Sequence, residues 1–496
     1  MDPRRSVFYR EIQKTIDAKY VRLLNSLDKQ ITRNLMEGHI ETRPAASNGV
    51  WCCIFLPTVL LTYSLLYDVS ELYSLIAFTS VGLMSYSLLF VIFVSVSCLV
   101  LKENIYGGCV ASSLTSALLL YTVLDRGLIF SLLYSLSAVF AYSSLLRVTL
   151  VKFPKTFTIG EATIIVQSIV LFTMMFFTKI ALNNGDEEDE ELEFIYSVIF
   201  TILSSVGIIV TAFCVLDESQ KNLSVLAYII SVAGTYALMV LHVQVGVDCI
   251  LRLAGYIFLD SDRVKLFLFW LSMAVMSAFM ILIRTKLAVK ASTVTRKTFH
   301  VLASIVFLTG IIYNVRLMTL AAGFGFGVLI FIEALRKSGI EPISSALQAA
   351  FAVYSDDKDI GTFAMTPIYL YVGLACPLVL VPVHKGYELE LLSGVLSIGV
   401  GDTAASWFGS RYGFNKWSNG HKTFEGTAFN VLTQVATVHA LRMFGLLSAR
   451  NPLFRVAITA SISGLVEAKT DQIDNLILPF VTMIAFQFTR LATQIL

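Results

Sequence analysis

The chain has 496 residues, 56% hydrophobic and 15% charged, with a mean hydropathy of +0.75 and a formal net charge of +2. That balance excludes a large soluble core and gives no general attraction to nucleic acid. The seven cysteines (Cys52, Cys53, Cys98, Cys109, Cys214, Cys249 and Cys376) lie in apolar stretches without CxxC spacing, which supports neither a disulfide framework nor a zinc site.

The first 48 residues carry nine Lys/Arg and six Asp/Glu. They read as a cytosolic amphipathic segment, so no cleavable signal peptide is expected and the first spanning helix serves as the targeting signal. Apolar runs follow at about 50–67, 72–101, 105–124, 127–146, 162–182, 194–216, 223–247, 264–283, 298–313, 315–334, 363–383, 389–409, 427–441, 453–466 and 475–495. Each is near the ~20 residues that span a bilayer, the thirteenth and fourteenth being short. The expected fold is all-α, a polytopic integral membrane protein of about 15 transmembrane helices. Its expected divisions are a cytosolic segment 1–49, a helix array 50–283 and a C-terminal core 284–496 with a cytosolic loop at 401–427.

Loop charge sets the orientation. With the N-terminus inside, loop 284–297, which holds Arg284, Lys286, Lys290, Arg296 and Lys297, is cytosolic, as is loop 147–161 with Arg147, Lys152 and Lys155. The same parity puts 410–426 and 467–474 inside and the acidic run from Asp186 to Glu191 outside. The sequon at Asn222 also falls inside and is expected to be unglycosylated.

Before residue 284 the helices hold few intramembrane charges and no motif. The chemistry lies beyond. Arg296 and Lys297 with His300 one turn on could touch a phosphate or a lipid head, or anchor and pack a helix. Gly323, Gly325 and Gly327 follow no strand, so close helix packing explains them better than a dinucleotide site. Glu333 and Arg336, at i and i+3, read as a pair. Residues 343–354 read as a short interfacial helix, followed by Asp356, Asp357, Asp359 and Gly361, whose carboxylates bind a metal or are simply solvated.

The most informative stretch runs from Gly399 to Thr427. Asp402, Ala405, Ser406, Gly409 and Gly413 share one helix face: a carboxylate above a floor of small residues. A glycine-rich loop then offers Arg411, Lys416, His421 and Lys422, and basic groups beside a helix start suit a polyphosphate. Farther on, Glu467, Asp471 and Asp474 lie at i, i+4, i+7, on one helix face or a turn. Three carboxylates so close repel one another unless a cation joins them. Asp402 with this cluster is what a Mg²⁺–triphosphate needs: a few oxygen ligands shared with phosphate. The chain lacks GxxxxGK[ST], so it is no P-loop kinase. Gly399-x-Gly401-Asp402 fits an intramembrane aspartyl protease pattern, but the partner aspartate has no candidate within a second helix.

In combination, certain segments resemble the eukaryotic dolichol kinases of the polyprenol kinase family. They are Arg296-Lys297-x-x-His300, Asp357-Lys358-Asp359-x-Gly361 with Thr366-Pro-Ile-Tyr369, Gly401-Asp402-Thr-Ala-Ala-Ser406, Lys422-Thr423-x-Glu425-Gly426-Thr427, and Glu467-Ala-x-Thr-x-Gln472-x-Asp474-Asn475. The resemblance covers roughly 285–485. It implies an endoplasmic reticulum enzyme, multi-pass and acting on the cytosolic side, that uses CTP to phosphorylate dolichol for protein glycosylation. It also implies that Gly401–Thr427 is the CTP-binding region. Where the family often has two adjacent lysines, this chain has His421 then Lys422. The same segment looks like that of CDP-diacylglycerol synthases, so a cytidylyltransferase or another CTP-using lipid kinase is the alternative. On this reading Mg²⁺ is held by Asp402 with Glu467 or Asp474. Arg411, Lys416 and Lys422 hold the phosphates, and the proton acceptor is Asp402 or Asp359. CTP, dolichol and the bilayer are the expected partners, and no protein partner is deducible.

Overall fold

The computed structural model describes residues 21–103, 105–182, 190–287, 291–355, 359–382, 386–417 and 422–495. Among these the chain is all-α, as expected, with one isolated bridge between Lys416 and Thr423 in place of any sheet. The helices are α1 (Val21–Glu37), α2 (Phe55–Leu66), α3 (Glu71–Val96), α4 (Tyr106–Thr122), α5 (Leu128–Lys152), α6 (Ile159–Leu182), α7 (Glu190–Val215), α8 (Leu223–Val245), α9 (Cys249–Phe258), α10 (Ser261–Leu287), α11 (Thr293–Tyr313), α12 (Val315–Lys337), α13 (Ile343–Tyr354), α14 (Met365–Leu380), α15 (Glu388–Leu391), α16 (Thr403–Tyr412), α17 (Phe424–Met443), α18 (Pro452–Lys469) and α19 (Asp474–Ile495). Nine helices among the described residues are long and apolar enough to cross a membrane; several other apolar runs fold as shorter helices, and α17 and α18, though 20 and 18 residues long, are not among the nine. The protein is a polytopic integral membrane protein. Helix α9 breaks a stretch that the apolar runs leave as a connection, whereas α13 forms where a short interfacial helix is expected.

The chain forms two compact units, residues 1–178 with 360–362, and residues 179–359 with 363–496. In the first, small and hydroxylated residues let helices approach, as membrane packing favours. Gly82 of α3 lies against Ser116 and Val139, and Ser87 shares a hydrogen bond of 2.6 Å with Tyr142. The N-terminal segment docks here: Asn34 donates to the carbonyls of Val94 and Ser95, and Arg43 forms a buried 2.5 Å ion pair with Glu161. Gly361 sits against Thr156, whose hydroxyl accepts the Thr362 N–H at 3.0 Å.

In the second unit the glycines of α12 serve close packing: a Cβ on Gly323 would strike Ile199, and one on Gly327 would strike Ile202. Glu333 and Arg336 do pair, at 2.5 Å, and Glu333 also accepts the Ala364 N–H. Glu191, expected in a solvated acidic loop, pairs with both Arg263 and Arg316; Asp186–Asp189 lie outside the described residues.

The C-terminal helices place the site. Residues Val395–Asp402 form a π-helical stretch that runs directly into α16. Its glycines let neighbouring helices come close: Gly399 abuts Ser304 of α11, and Gly401 abuts Asn430 and Gln434 of α17. Such stretches are rare and often accompany functional sites. Twelve residues before Asp402, Glu390 is fully buried with Arg455 of α18 at 2.5 Å and Arg490 of α19 at 3.6 Å. Along α18, Arg455 and Glu467 are likewise twelve residues apart, roughly 18 Å at 1.5 Å rise. This ion cluster therefore ties together, one helix length away, the segments that carry Asp402, Glu467 and Asp474. Removing one member of a buried ion pair costs about 3–5 kcal/mol. Arg455→Met is expected to lower the thermal unfolding midpoint in detergent clearly, and an unchanged midpoint would show that the cluster clamps nothing.

Candidate functional site

The site forms where the π-helical stretch, α11, α17, α18 and α19 meet. Asp402 ends the π stretch and is 4% exposed. Its carboxylate is ion-paired with Lys297, one turn before His300 on α11. Burial of a lone carboxylate is costly, so this pairing is what permits Asp402 to stay ionised there. His300 bridges the Arg296 carbonyl at 3.3 Å and the Asn475 side chain at 3.2 Å, fastening α11 to α19.

The second half is built by the turn between α18 and α19. Helix α18 ends at Lys469 and α19 starts at Asp474, so Glu467, Asp471 and Asp474 do not share one helix face. The turn folds Glu467 and Asp474 toward Lys422 and leaves Asp471 exposed. Lys422 lies 3.0 Å from the Glu467 carboxylate and 3.4 Å from that of Asp474, and it also donates to the Glu467 carbonyl. Burial pushes the Lys422 ammonium down, but Asp474 and Glu467 outweigh burial and hold it above the ordinary lysine range. Oxygen atoms of Asp402, Glu467 and Asp474 all lie within 4.8 Å of one another. Three carboxylates and two lysines thus converge in a cavity of about 340 Å³, also lined by Arg296, Thr366, Ala405, Ser406 and Gly409. The helix face from Asp402 through Gly409 is the floor expected from its spacing; Gly413, expected on the same face, follows the end of α16 and does not line the cavity.

The other expected residues support this floor or lie away from it. Thr423 caps α17, accepting the Gly426 N–H at 3.1 Å. Gly426 packs against the Ala405 carbonyl, so the start of α17 rests on α16. Glu425 accepts from the Phe414 and Asn415 backbone and from the Asn415 side chain at 2.6 Å, which fixes the 413–415 turn. Arg411 is exposed, its guanidinium 4.6 Å from the Trp407 ring, and Lys416 is exposed beside its bridge to Thr423. Neither lines the cavity. Asp359 accepts the Thr366 N–H at 3.0 Å, near the start of α14. Gln472 is buried in the α18–α19 turn. His421 and Asp357 lie outside the described residues. Trp417 stacks on Phe424 at 3.8 Å and donates to Thr427, a packing role.

The Lys297–Asp402 pair spans 105 residues of sequence, and nothing in local spacing announces it.

A family model described as dolichol kinase matches residues 76–380. The dolichol kinase of Bos taurus is 30% identical over 397 residues, covering 76% of this chain and 73% of that protein. The chain belongs to the dolichol kinase family. Dolichol kinase EVAN of Arabidopsis thaliana is 29% identical over 225 residues, 44% of this chain and 39% of its own, and the Saccharomyces cerevisiae dolichol kinase is 26% identical over 248 residues, 49% and 46%. No solved structure matches the chain. The family match includes Lys297 and His300 and stops short of Asp402, Lys422, Glu467 and Asp474.

Proposed function

We propose that the protein is a CTP-dependent dolichol kinase of the endoplasmic reticulum membrane. It would convert dolichol to dolichyl phosphate, release CDP and so supply the lipid carrier for protein glycosylation. The observation that carries this reading is the convergence of three carboxylates and two lysines at helix ends, in a chain whose relatives are named dolichol kinases. The charge distribution of its loops supports a cytosolic site, where nucleoside triphosphates are abundant.

Asp402, Glu467 and Asp474 would hold Mg²⁺, since a small set of hard oxygen donors, shared with phosphate oxygens, suits that ion. When bound, it neutralises charge on the phosphate oxygens. Lys422 and Lys297 already face these carboxylates, and with Arg296 they supply the cations that bind and orient a triphosphate. Phosphoryl transfer has a loose transition state, so positioning and charge stabilisation carry most of the catalysis. The dolichol oxygen bonds to the terminal phosphorus as the bond from that phosphorus to the bridging oxygen breaks, and CDP departs. Of the two candidate proton acceptors, Asp402 lines the cavity, which supports it as the group that would take the hydroxyl proton. The small-residue floor of Ala405 and Gly409 keeps bulk water from one side of the reacting phosphate.

The test uses purified protein in detergent with γ-labelled CTP, Mg²⁺ and dolichol. Labelled dolichyl phosphate and CDP are expected. Pyrophosphate release would replace the kinase by a cytidylyltransferase, and label on diacylglycerol or phytol would change the acceptor.

A further inference from the structure

A second cavity, of about 650 Å³, adjoins the first and shares Lys297 and Ser406 with it. It is a groove along the flanks of α11, α16 and α17. Its volume is that of a typical small-molecule site, ~300–1,000 Å³. Its walls contain several threonines, yet the groove is apolar, and the hydrogen bonds explain why. The Thr403 hydroxyl donates to the Ile398 carbonyl at 3.2 Å, Thr433 to Phe429 at 2.7 Å and Thr437 to Thr433 at 2.8 Å. Each of these hydroxyls donates to a carbonyl of its own helix and so is not a free donor toward the groove. The rim is open along the helix flank: Val301 is 38% exposed, and Thr298 and Ala436 are exposed. Of the three helices, α11 is among those long and apolar enough to cross a membrane, and the Val301 side of it would there meet lipid.

These features select the occupant. A pyrimidine base needs donors and acceptors on its edges, and the donor hydrogens of Thr403, Thr433 and Thr437 are already given to backbone carbonyls. A triphosphate needs several cations, and among the described residues that line the groove Lys297 is the single charged one. What fits is an amphiphile with a long apolar body and one small polar head. We propose that this groove seats the first isoprene units of a polyisoprenoid alcohol, with the hydroxyl at the Lys297–Asp402 end and the remaining chain in the bilayer. The proposal rests on the kinase reading for its substrate class. It adds the route by which the lipid enters, sideways past Val301, while the nucleotide occupies the charged cavity.

The experiment uses the full-length protein in detergent and an isoprenoid alcohol carrying a diazirine on its first isoprene units. Photolabel is expected on α11 and α17 within the groove, displaced by unlabelled dolichol and not by excess phosphatidylcholine. Ala436→Trp and, at the more tolerant exposed rim, Val301→Trp are expected to raise the KM for the alcohol at least tenfold. The Kd for CTP should stay within twofold, which also reports that each variant is folded. Label elsewhere, or displacement by phosphatidylcholine, overturns the proposal. So does a rise in the nucleotide Kd with the alcohol KM unchanged, since the groove would then hold the base. Absence of phosphate transfer in the wild-type protein would overturn the kinase reading instead, and the position and competition of the photolabel would still decide the groove.

Discussion

Asp402→Asn is expected to lower kcat for phosphate transfer by about 10²–10³-fold, the usual scale for removing one group that stabilises charge in a transition state. Asparagine keeps the size of the side chain and removes its charge. The change also leaves Lys297, whose side chain is 17% exposed, without its ion-pair partner, and that has a separate consequence for stability. The two effects can be separated. Asp402→Asn alone should lower both turnover and the thermal midpoint. Asp402→Asn combined with Lys297→Met removes the orphaned charge and should recover most of the midpoint; turnover stays low there for two reasons, since Lys297 also binds the triphosphate, so in this variant the midpoint is the diagnostic readout. Near-wild-type turnover in the single variant would remove Asp402 from the mechanism. Recovery of turnover along with the midpoint in the double variant would make the aspartate a packing residue and nothing more.

The parts of this molecule governed by local pattern were legible in the sequence. Apolar length marked the helices, since a membrane asks for roughly 20 apolar residues whatever the tertiary contacts. The i, i+3, i+4 spacing from Asp402 to Gly409 gave the cavity floor because a helix continues through it. The same spacing argument reached its limit at Glu467, Asp471 and Asp474. There the choice between a helix face and a turn depends on where α18 stops, and the stop at Lys469 separates Asp471 from the other two. Long-range pairings were not legible. Lys297 reads locally as a cytosolic anchor, and its meeting with Asp402 depends on Gly399 allowing the π-helical stretch to lie against Ser304. The groove was invisible for a related reason. Val301, Thr437 and Ala436 look like ordinary lipid-facing residues, and what they line follows from the packing of three helices.

Lys422→Ala is expected to cost roughly 10- to 150-fold in kcat/KM, since a hydrogen bond to a charged group contributes about 1.5–3 kcal/mol. Lys422→Arg should recover part of that loss, because a guanidinium keeps the charge but not the compact ammonium that fits between Glu467 and Asp474. The lysine has a second role that binding alone does not report. It is the cation that offsets repulsion between those two carboxylates, so Lys422→Ala should also lower the thermal midpoint, and millimolar Mg²⁺ should restore more of the midpoint in the variant than in the wild-type protein. The pH dependence has a definite sign. The folded-state value of Lys422 lies above its ordinary value of about 10.4, so the stability it contributes is fully present below that pH and is lost only as the pH rises through the folded value. Burial pushes the Glu467 carboxyl up to about 7, so the gap in midpoint between wild type and Lys422→Ala should widen as Glu467 ionises through neutral pH and then persist to about pH 10. A gap that closes between pH 7 and pH 9 would show that the ammonium is not held by Glu467 and Asp474, and the phosphate-binding role would then have to pass to Lys297 and Arg296.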